Sequence, residues 1–539
     1  MKRGFWLIGG GILLVLFLVG GMLWLDPWGW RLLDRLNGRF DATLSIAPPD
    51  AFFYAGIDLL QADRDRLTDL WDTFSQAAVA EDGVNQLTEM DISLDEDVLP
   101  WVGQYVGLVG LETTPTHIQW VLAVEVRDRQ AADAFAQKLK DRLASVTGET
   151  AVSNTVAGHS MWRLSDGRLF GRADNLFFFA SDETALQTAL ETREGESLAQ
   201  NPDYIATISQ LPPDRSATIF FSGEQISTTL AELIAPFVPA RPENLPTQAI
   251  RGTAVALIPT EFGIRLTGVT LFDSSQMAPW QQEAISLQAD GTKLVNWFPA
   301  DAVAFAGGQG VHFLWQAYRD TLIAEIGEAD FSASMDAFAR QYSLNPDTEL
   351  FPYLTGAAGA VLLPSVSGAF WGGVNGGLDV LALVETADAD TLAANLAQLS
   401  ANIGDPITGL GTLTETAVSD GTRYTFTTIL LPDWRIGYGT ENGRFLLAIN
   451  AEALDKLPET QTQSLAANRG LQGAWGQLSP EITPGFYVNF DELRPYLRQG
   501  GIDLPGWLTP ITAVAGGSQP ETDGIRHELV ILIHTDTQN

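Results

Sequence analysis

The sequence predicts an α+β protein: an N-terminal transmembrane helix followed by two homologous domains, each a mixed sheet with helices on one face. Three observations carry that expectation. The chain is free of charge from Phe5 to Leu25, and ~20 apolar residues suffice to span a bilayer core. Five segments of the remaining sequence recur later in the same order, the signature of an internal repeat. Finally, 45% hydrophobic and 10% aromatic residues over 539 positions can fill several packed cores rather than leave a disordered acidic chain.

Residues 1–4 form a short basic tail carrying Lys2 and Arg3. Phe5 and Trp6 begin the apolar stretch, and Trp24, Trp28 and Trp30 follow its other end, as interfacial aromatics do around a spanning helix. A cleaved signal peptide has a shorter apolar region and small residues at its cleavage site. This stretch closes with the bulky run Met22-Leu23-Trp24-Leu25, so it reads as an uncleaved anchor over 5–25. A basic tail at the start of an export signal places the N-terminus in the cytoplasm, although Arg31, Arg35 and Arg39 nearly balance the local charge. The bulk of the chain is then expected in the periplasm or a thylakoid lumen, behind a juxtamembrane linker at 26–44.

The first repeat is expected over 45–275 and the second over 292–535, with a polar linker at 276–291. Pro49–Gly56 and Pro299–Gly307 each open a strand after a proline and lead to an amphipathic helix, near 62–80 and 313–327. Ser93–Gly103 and Ser343–Gly356 each run from Ser-Leu through an acidic loop into Pro-aromatic and Gly. The apolar runs after them, 105–111 and 357–363, read as buried strands. Trp120–Glu125 pairs with Val380–Glu385, and helices follow at 129–143 and 388–403. Asn175–Ser181 pairs with Gly443–Asn450, and Ala217–Phe221 with Gly485–Asn489. Each half ends in two long strands, 251–258 with 262–272 and 511–516 with 524–534, whose alternating pattern suits an antiparallel pair with one wet face.

At Leu99-Pro100-Trp101-Val102-Gly103 the chain resembles a known family. The basic start, the apolar stretch, Pro48-Pro49-Asp50-Ala51 and the acidic loop into Pro-Trp-x-Gly together resemble the bacterial, chiefly cyanobacterial, domain-of-unknown-function family 3352. The second half departs from the motif with Pro352-Tyr353-Leu354-Thr355. The resemblance implies a membrane-anchored protein and brings no activity or functional residues with it.

The residues narrow the chemistry. The absence of cysteine excludes disulfides, thiolate zinc, iron–sulfur ligation and cysteine nucleophiles. A formal charge of −35 argues against sequence-independent binding to nucleic acid or anionic lipid surfaces. Asp91, Asp95, Glu96 and Asp97 form the best acidic-loop candidate for a hard cation, but the spaced calcium pattern is missing and a solvated turn is the better reading. Gly307-Gly308-Gln309-Gly310 sits where a phosphate loop would, without the third spaced glycine or the Walker Lys. The five histidines, His117, His159, His312, His527 and His534, show no i,i+4 metal spacing, and no Gly-x-Ser-x-Gly elbow accompanies them. No cofactor or metal is therefore expected. Trp101, Phe370 and Trp371, together with a Pro-rich loop at 236–246, are candidate interaction loops.

The expected function is a non-enzymatic, membrane-anchored binding protein. It would contact the bilayer through 5–25 and take a protein or apolar-ligand partner, with the groove between the halves a natural place for it. The alternative is a hydrolase of envelope polymers using an Asp/Glu pair, which 66 acidic residues leave open.

Overall fold

A computed structural model describes residues 41–59, 91–223 and 249–534, apart from short breaks at 115–116, 147, 149, 288–289, 366–369, 374–375, 405–410, 419, 429–434, 451, 458–459, 461–462, 503 and 505. The expected anchor at 5–25, the helix at 62–80 and the Pro-rich loop at 236–246 lie outside the described residues. No helix among the described residues is long and apolar enough to cross a membrane.

Among the described residues the first half contributes ten strands: β1 Phe53–Asp58, β2 Val102–Thr114, β3 His117–Val126, β4 Val152–Val156, β5 His159–Arg163, β6 Leu169–Ala173, β7 Leu176–Ala180, β8 Ala217–Ser222, β9 Ile250–Thr260 and β10 Gly263–Phe272. The second contributes β11 Ala304–Gln309, β12 Ala357–Ser365, β13 Phe370–Gly373, β14 Gly376–Glu385, β15 Gly411–Val418, β16 Gly421–Thr428, β17 Arg435–Glu441, β18 Arg444–Ile449, β19 Thr483–Asn489, β20 Ile511–Glu521 and β21 Gly524–Ile533.

These strands form one sheet in which every described pairing is antiparallel. The expectation of two mixed-sheet domains is therefore corrected in two respects. First, β7 lies antiparallel to β3. Reading a strand–helix–strand passage from β3 through the helix Arg129–Val146 directly to β7 implies a parallel crossover. The chain instead makes three more strands, β4 to β6, before β7. The second half does the same with β15 to β17 before β18. Second, the sheet does not stop between the halves. β10 pairs with β21 from Gly263–Leu532 to Leu271–Gly524. Two long alternating strands would each expose an unpaired edge, and here each covers the other.

Helices also cover both faces rather than one. Alternate residues of β7 point to opposite sides. Phe177 packs with Trp101 and Phe135 under Arg129–Val146, while Phe178 joins Leu186 and Ala189 of the helix Glu183–Thr192. Asp182 caps that second helix by accepting from Ala185 N at 2.9 Å, the usual service of an Asp at this position. The segment expected as a polar linker is also structured: it carries the helix Pro279–Ser286, whose Trp280 donates to Asp320 at 3.1 Å.

Candidate functional site

A cavity of about 510 Å³ opens in the first half, between β1, β8 and the helix Pro202–Ile208. Ligand pockets commonly span ~300–1,000 Å³. Its walls include Leu44, Ile57, Ile205, Ile208, Leu211 and Ala217. Polar side chains line it as well, and Asp41, Tyr204 and Arg215 among them set its character.

Asp41 stands at the floor as the N-cap of a short 3-10 helix, Ala42–Ile46. Its Oδ1 accepts from Thr43 N at 2.8 Å and from Thr43 Oγ1 at 2.6 Å. Its Oδ2 accepts from the hydroxyl of Tyr54, a residue that is 1% exposed. Burial raises the Asp41 carboxyl above the usual carboxylate range, and the hydrogen bonds from Thr43 and Tyr54 only partly oppose this. Proton counting gives the same direction. Thr43 Oγ1 and Tyr54 Oη are also 2.9 Å apart. Each hydroxyl has one proton, so an ionised Asp41 takes both and leaves that contact between two acceptors. A protonated Asp41 returns one.

This floor requires glycine beneath it. Gly56 pairs with Gly107 across β1 and β2. A Cβ on Gly56 would sit 2.6 Å from Tyr54 Oη and 2.7 Å from Asp41 Oδ2, and one on Gly107 would sit 2.1 Å from Thr43 Oγ1.

Tyr204 enters from the helix above. Asn201 caps that helix, accepting from Asp203 N and Tyr204 N, while its amide donates to Pro49 O at 2.8 Å. Pro202 at the first helical position suits the fixed backbone angle there. The Tyr204 ring meets Tyr54 and Phe220 edge-on, at 6.5 Å and 5.1 Å. Burial pushes its phenol well above the ordinary range. Arg215 uses Nε on Thr218 Oγ1 and Nη1 on Pro212 O, both at 2.7 Å, and burial lowers its pKa.

The residues singled out in the sequence lie elsewhere. Trp101 is 2% exposed, its Nε1 donates to Asp97 O at 2.9 Å, and its ring packs on Phe135 and Phe177. It is core, and the expectation of an interaction loop there is corrected. A Pro-Trp step signals a buried aromatic as readily as an exposed one, since Trp buries a large apolar area. Phe370 and Trp371 belong to β13, which pairs with β14. In the acidic loop, Asp91 pairs with Arg142, and Asp97 accepts from Lys138 Nζ at 2.5 Å. That Lys138 bond holds the Asp97 carboxyl below the usual range. Asp95 and Glu96 share the single helical turn Leu94–Val98 with Asp97. Cations of the adjacent helix thus answer two of the four carboxylates, and among the described residues no group of three His, Asp or Glu is arranged to hold a metal. Gly310 takes a left-handed conformation, φ 75°, as the cap of the helix Val311–Ile326.

Asp41, Tyr54, Tyr204 and Arg215 were not singled out by sequence. The available signal was the Asp-x-Thr cap at 41–43 and the polar Tyr54 inside an apolar strand. What joins them is a contact between segments some 150 residues apart, which no local pattern carries.

The family model described as "Protein of unknown function (DUF3352)" matches residues 7–511, and the chain belongs to that family. No curated protein matches the chain. Similar solved structures include crystal form I of TP0453, at 9% identity and a TM-score of 0.28, covering 48% of this chain and 88% of that one. Crystal form III of TP0453 is similar at 10% identity and a TM-score of 0.27, covering 48% and 87%. Likeness at that level supports no inference about ligand or mechanism.

Proposed function

We propose that this DUF3352 protein is a non-enzymatic binding protein that holds an apolar ligand in the cavity between Tyr54, Tyr204 and Arg215. We further propose that residues 5–25 hold it at a membrane with the sheet on the extracytoplasmic side. One observation carries the ligand reading: a cavity of about 510 Å³ whose surface is more apolar than polar and whose floor carboxyl is already engaged by its own neighbours. The cavity lies within the first half, so the ligand site moves there from the groove between the halves.

The hydrolase reading has one observation in its favour: two carboxylates, Asp41 and Asp58, line the same cavity, and Asp41 is pushed up by burial. Raised carboxyls do mark general acids. Against it, Asp290 in the second half makes the same cap, accepting from Thr292 N at 3.1 Å and Thr292 Oγ1 at 2.5 Å. The cap therefore accounts for an Asp at position 41, and Tyr54 and Thr43 occupy the oxygens a substrate would need.

The test is extraction of the full-length protein in mild detergent, followed by mass spectrometry of the small molecules that accompany it. An apolar compound near one per chain is expected, and Ala217→Trp, which fills the cavity, should lose it. Companion-free wild-type protein that takes up no added lipid overturns the ligand reading. Protease added outside spheroplasts should digest the region 41–534; its survival overturns the orientation.

A further inference from the structure

We infer that the ligand of this cavity is a single-chain amphiphile with a carboxylate head, the head seated on Arg215 and Tyr204 and the chain along Ile57, Ile205, Ile208 and Leu211. This rests on the apolar-ligand reading above and adds the head group to it.

Two donors line the cavity without a protein partner among the described residues. Arg215 has five N–H protons. Its bonds to Thr218 Oγ1 and Pro212 O use Nε and Nη1. Among the described residues no acceptor meets Nη2, and no carboxylate lies at ion-pair distance. Asp214, its neighbour in sequence, acts on it only through space. A guanidinium taken partly out of water without a counter-ion is costly. Tyr204 is 8% exposed, and among the described residues its hydroxyl has no hydrogen-bond partner either. Both groups line the one cavity, and each acts on the other's charge. The cavity therefore offers a cation and a neutral donor that no acceptor among the described residues meets.

Its two carboxylates do not fill that role. Asp41 is engaged by Thr43 and Tyr54, and Asp58 accepts from the Gln104 amide at 3.2 Å through both oxygens. They do limit the charge a ligand can bring. One guanidinium beside two acidic side chains suits a single negative charge better than a phosphate dianion. A carboxylate supplies that charge with the flat two-oxygen face that a guanidinium recognises, and the aliphatic walls require an alkyl chain behind it.

The test is native mass spectrometry of the full chain released from detergent and titrated with hexadecanoate or with hexadecanol. Wild type should bind one hexadecanoate with a Kd about ten-fold below that for hexadecanol. Arg215→Gln should weaken hexadecanoate about ten-fold and erase the preference, with a far-UV dichroism melt reporting whether the variant folds. If it does not fold, Tyr204→Phe decides, with the preference expected to fall about three-fold. Equal binding of acid and alcohol by wild type, or an unchanged preference in the folded variants, overturns the head-group inference and leaves the apolar cavity standing. Binding of neither compound overturns the cavity reading itself.

Discussion

The two halves solve one packing problem with different side chains, and among the described residues a cavity opens beside the first of the two glycine pairs. In each, a glycine of the first strand faces a glycine of the next, Gly56 with Gly107 and Gly307 with Gly359. An Asp-x-Thr cap precedes each, Asp41/Thr43 and Asp290/Thr292. Each later helix is capped by an Asn that also reaches back to the chain ahead of the first strand, Asn201 to Pro49 O and Asn468 to Ala300 O. Over the second glycine pair lie Phe298 and Phe305, joined edge-on at 5.9 Å, with Leu294 beside them. Over the first lie Thr43 and Tyr54, whose oxygens turn to Asp41. Arg215, two residues before β8, has its positional counterpart in Ile482, one residue before β19. That residue is 4% exposed and packs with Leu478 and Val530. An aromatic hydrocarbon fills the space in one half. In the other, a hydroxyl and a guanidinium, which need partners, keep it open.

The sharpest way to break this comparison is at the joint. If the halves are one cooperative body, the β10–β21 seam must hold. Glu528 is 3% exposed there. It accepts from Ser479 N at 2.7 Å and Ser479 Oγ at 2.6 Å, and lies 3.6 Å from Arg265 Nε. Glu528→Ala leaves the two Ser479 donors without their acceptor and Arg265, whose Nη2 still reaches Gln477 O at 2.9 Å, without its ion-pair partner, and should cost about 3 kcal/mol. Urea unfolding checks this. A lower midpoint with two separate transitions would show that the seam couples the halves, whereas an unchanged midpoint would mean that the halves stand independently.

A smaller effect tests the exchange of Tyr54 for Phe305. Tyr54→Phe removes one donor from Asp41 and should cost about 1 kcal/mol. Phe305→Tyr adds a hydroxyl among the apolar side chains of Phe298, Leu294 and Trp475 and should cost about 2 kcal/mol. Thermal melts of the two variants should rank in that order. The reverse order would mean that the second half has room for a polar group after all.

Much of the framework was legible because it rests on local pattern. Proline-led strands, apolar runs and helices at 129–143, 313–327 and 388–403 show in a single pass, and the structure places elements at each. Strand direction was not, because it depends on counting strands. β4, β5 and β15 are short or largely exposed, and their polar residues read as loop. Missing three strands per half turned antiparallel neighbours into apparent parallel ones. The seam was equally invisible, since an alternating strand shows that it has a wet face without showing what lies along its edge. The site suffered from sequence distance: Asp41, Tyr54, Tyr204 and Arg215 are ordinary residues until the fold gathers them. Trp101 failed in the opposite way, being conspicuous in the sequence and wholly structural in the fold.

The finest distinction between the halves is their opposite response to acid. Burial raises the folded-state pKa of Asp41. A raised carboxyl binds its proton more readily folded than unfolded, so its contribution to stability improves as pH falls through the folded-state pKa. At neutral pH the full cost of keeping it ionised is present. Asp290 behaves the other way. The hydrogen bond from Thr292 foremost, and then Lys293, lower its pKa. Its contribution is present above the unfolded value and is lost as pH drops through the folded one. Asn preserves both caps without titrating. Between pH 7 and about pH 2.5 the stability of wild type relative to Asp41→Asn should therefore rise, while that relative to Asp290→Asn should hold down to about pH 4 and fall below it. The Asp290 change should be the smaller, because its side chain is 41% exposed and solvent screens it. Urea midpoints at the two pH values measure both differences. A fall for Asp41→Asn would mean that Thr43 and Tyr54 hold an ordinary, ionised cap, and the two floors would then differ in shape but not in charge.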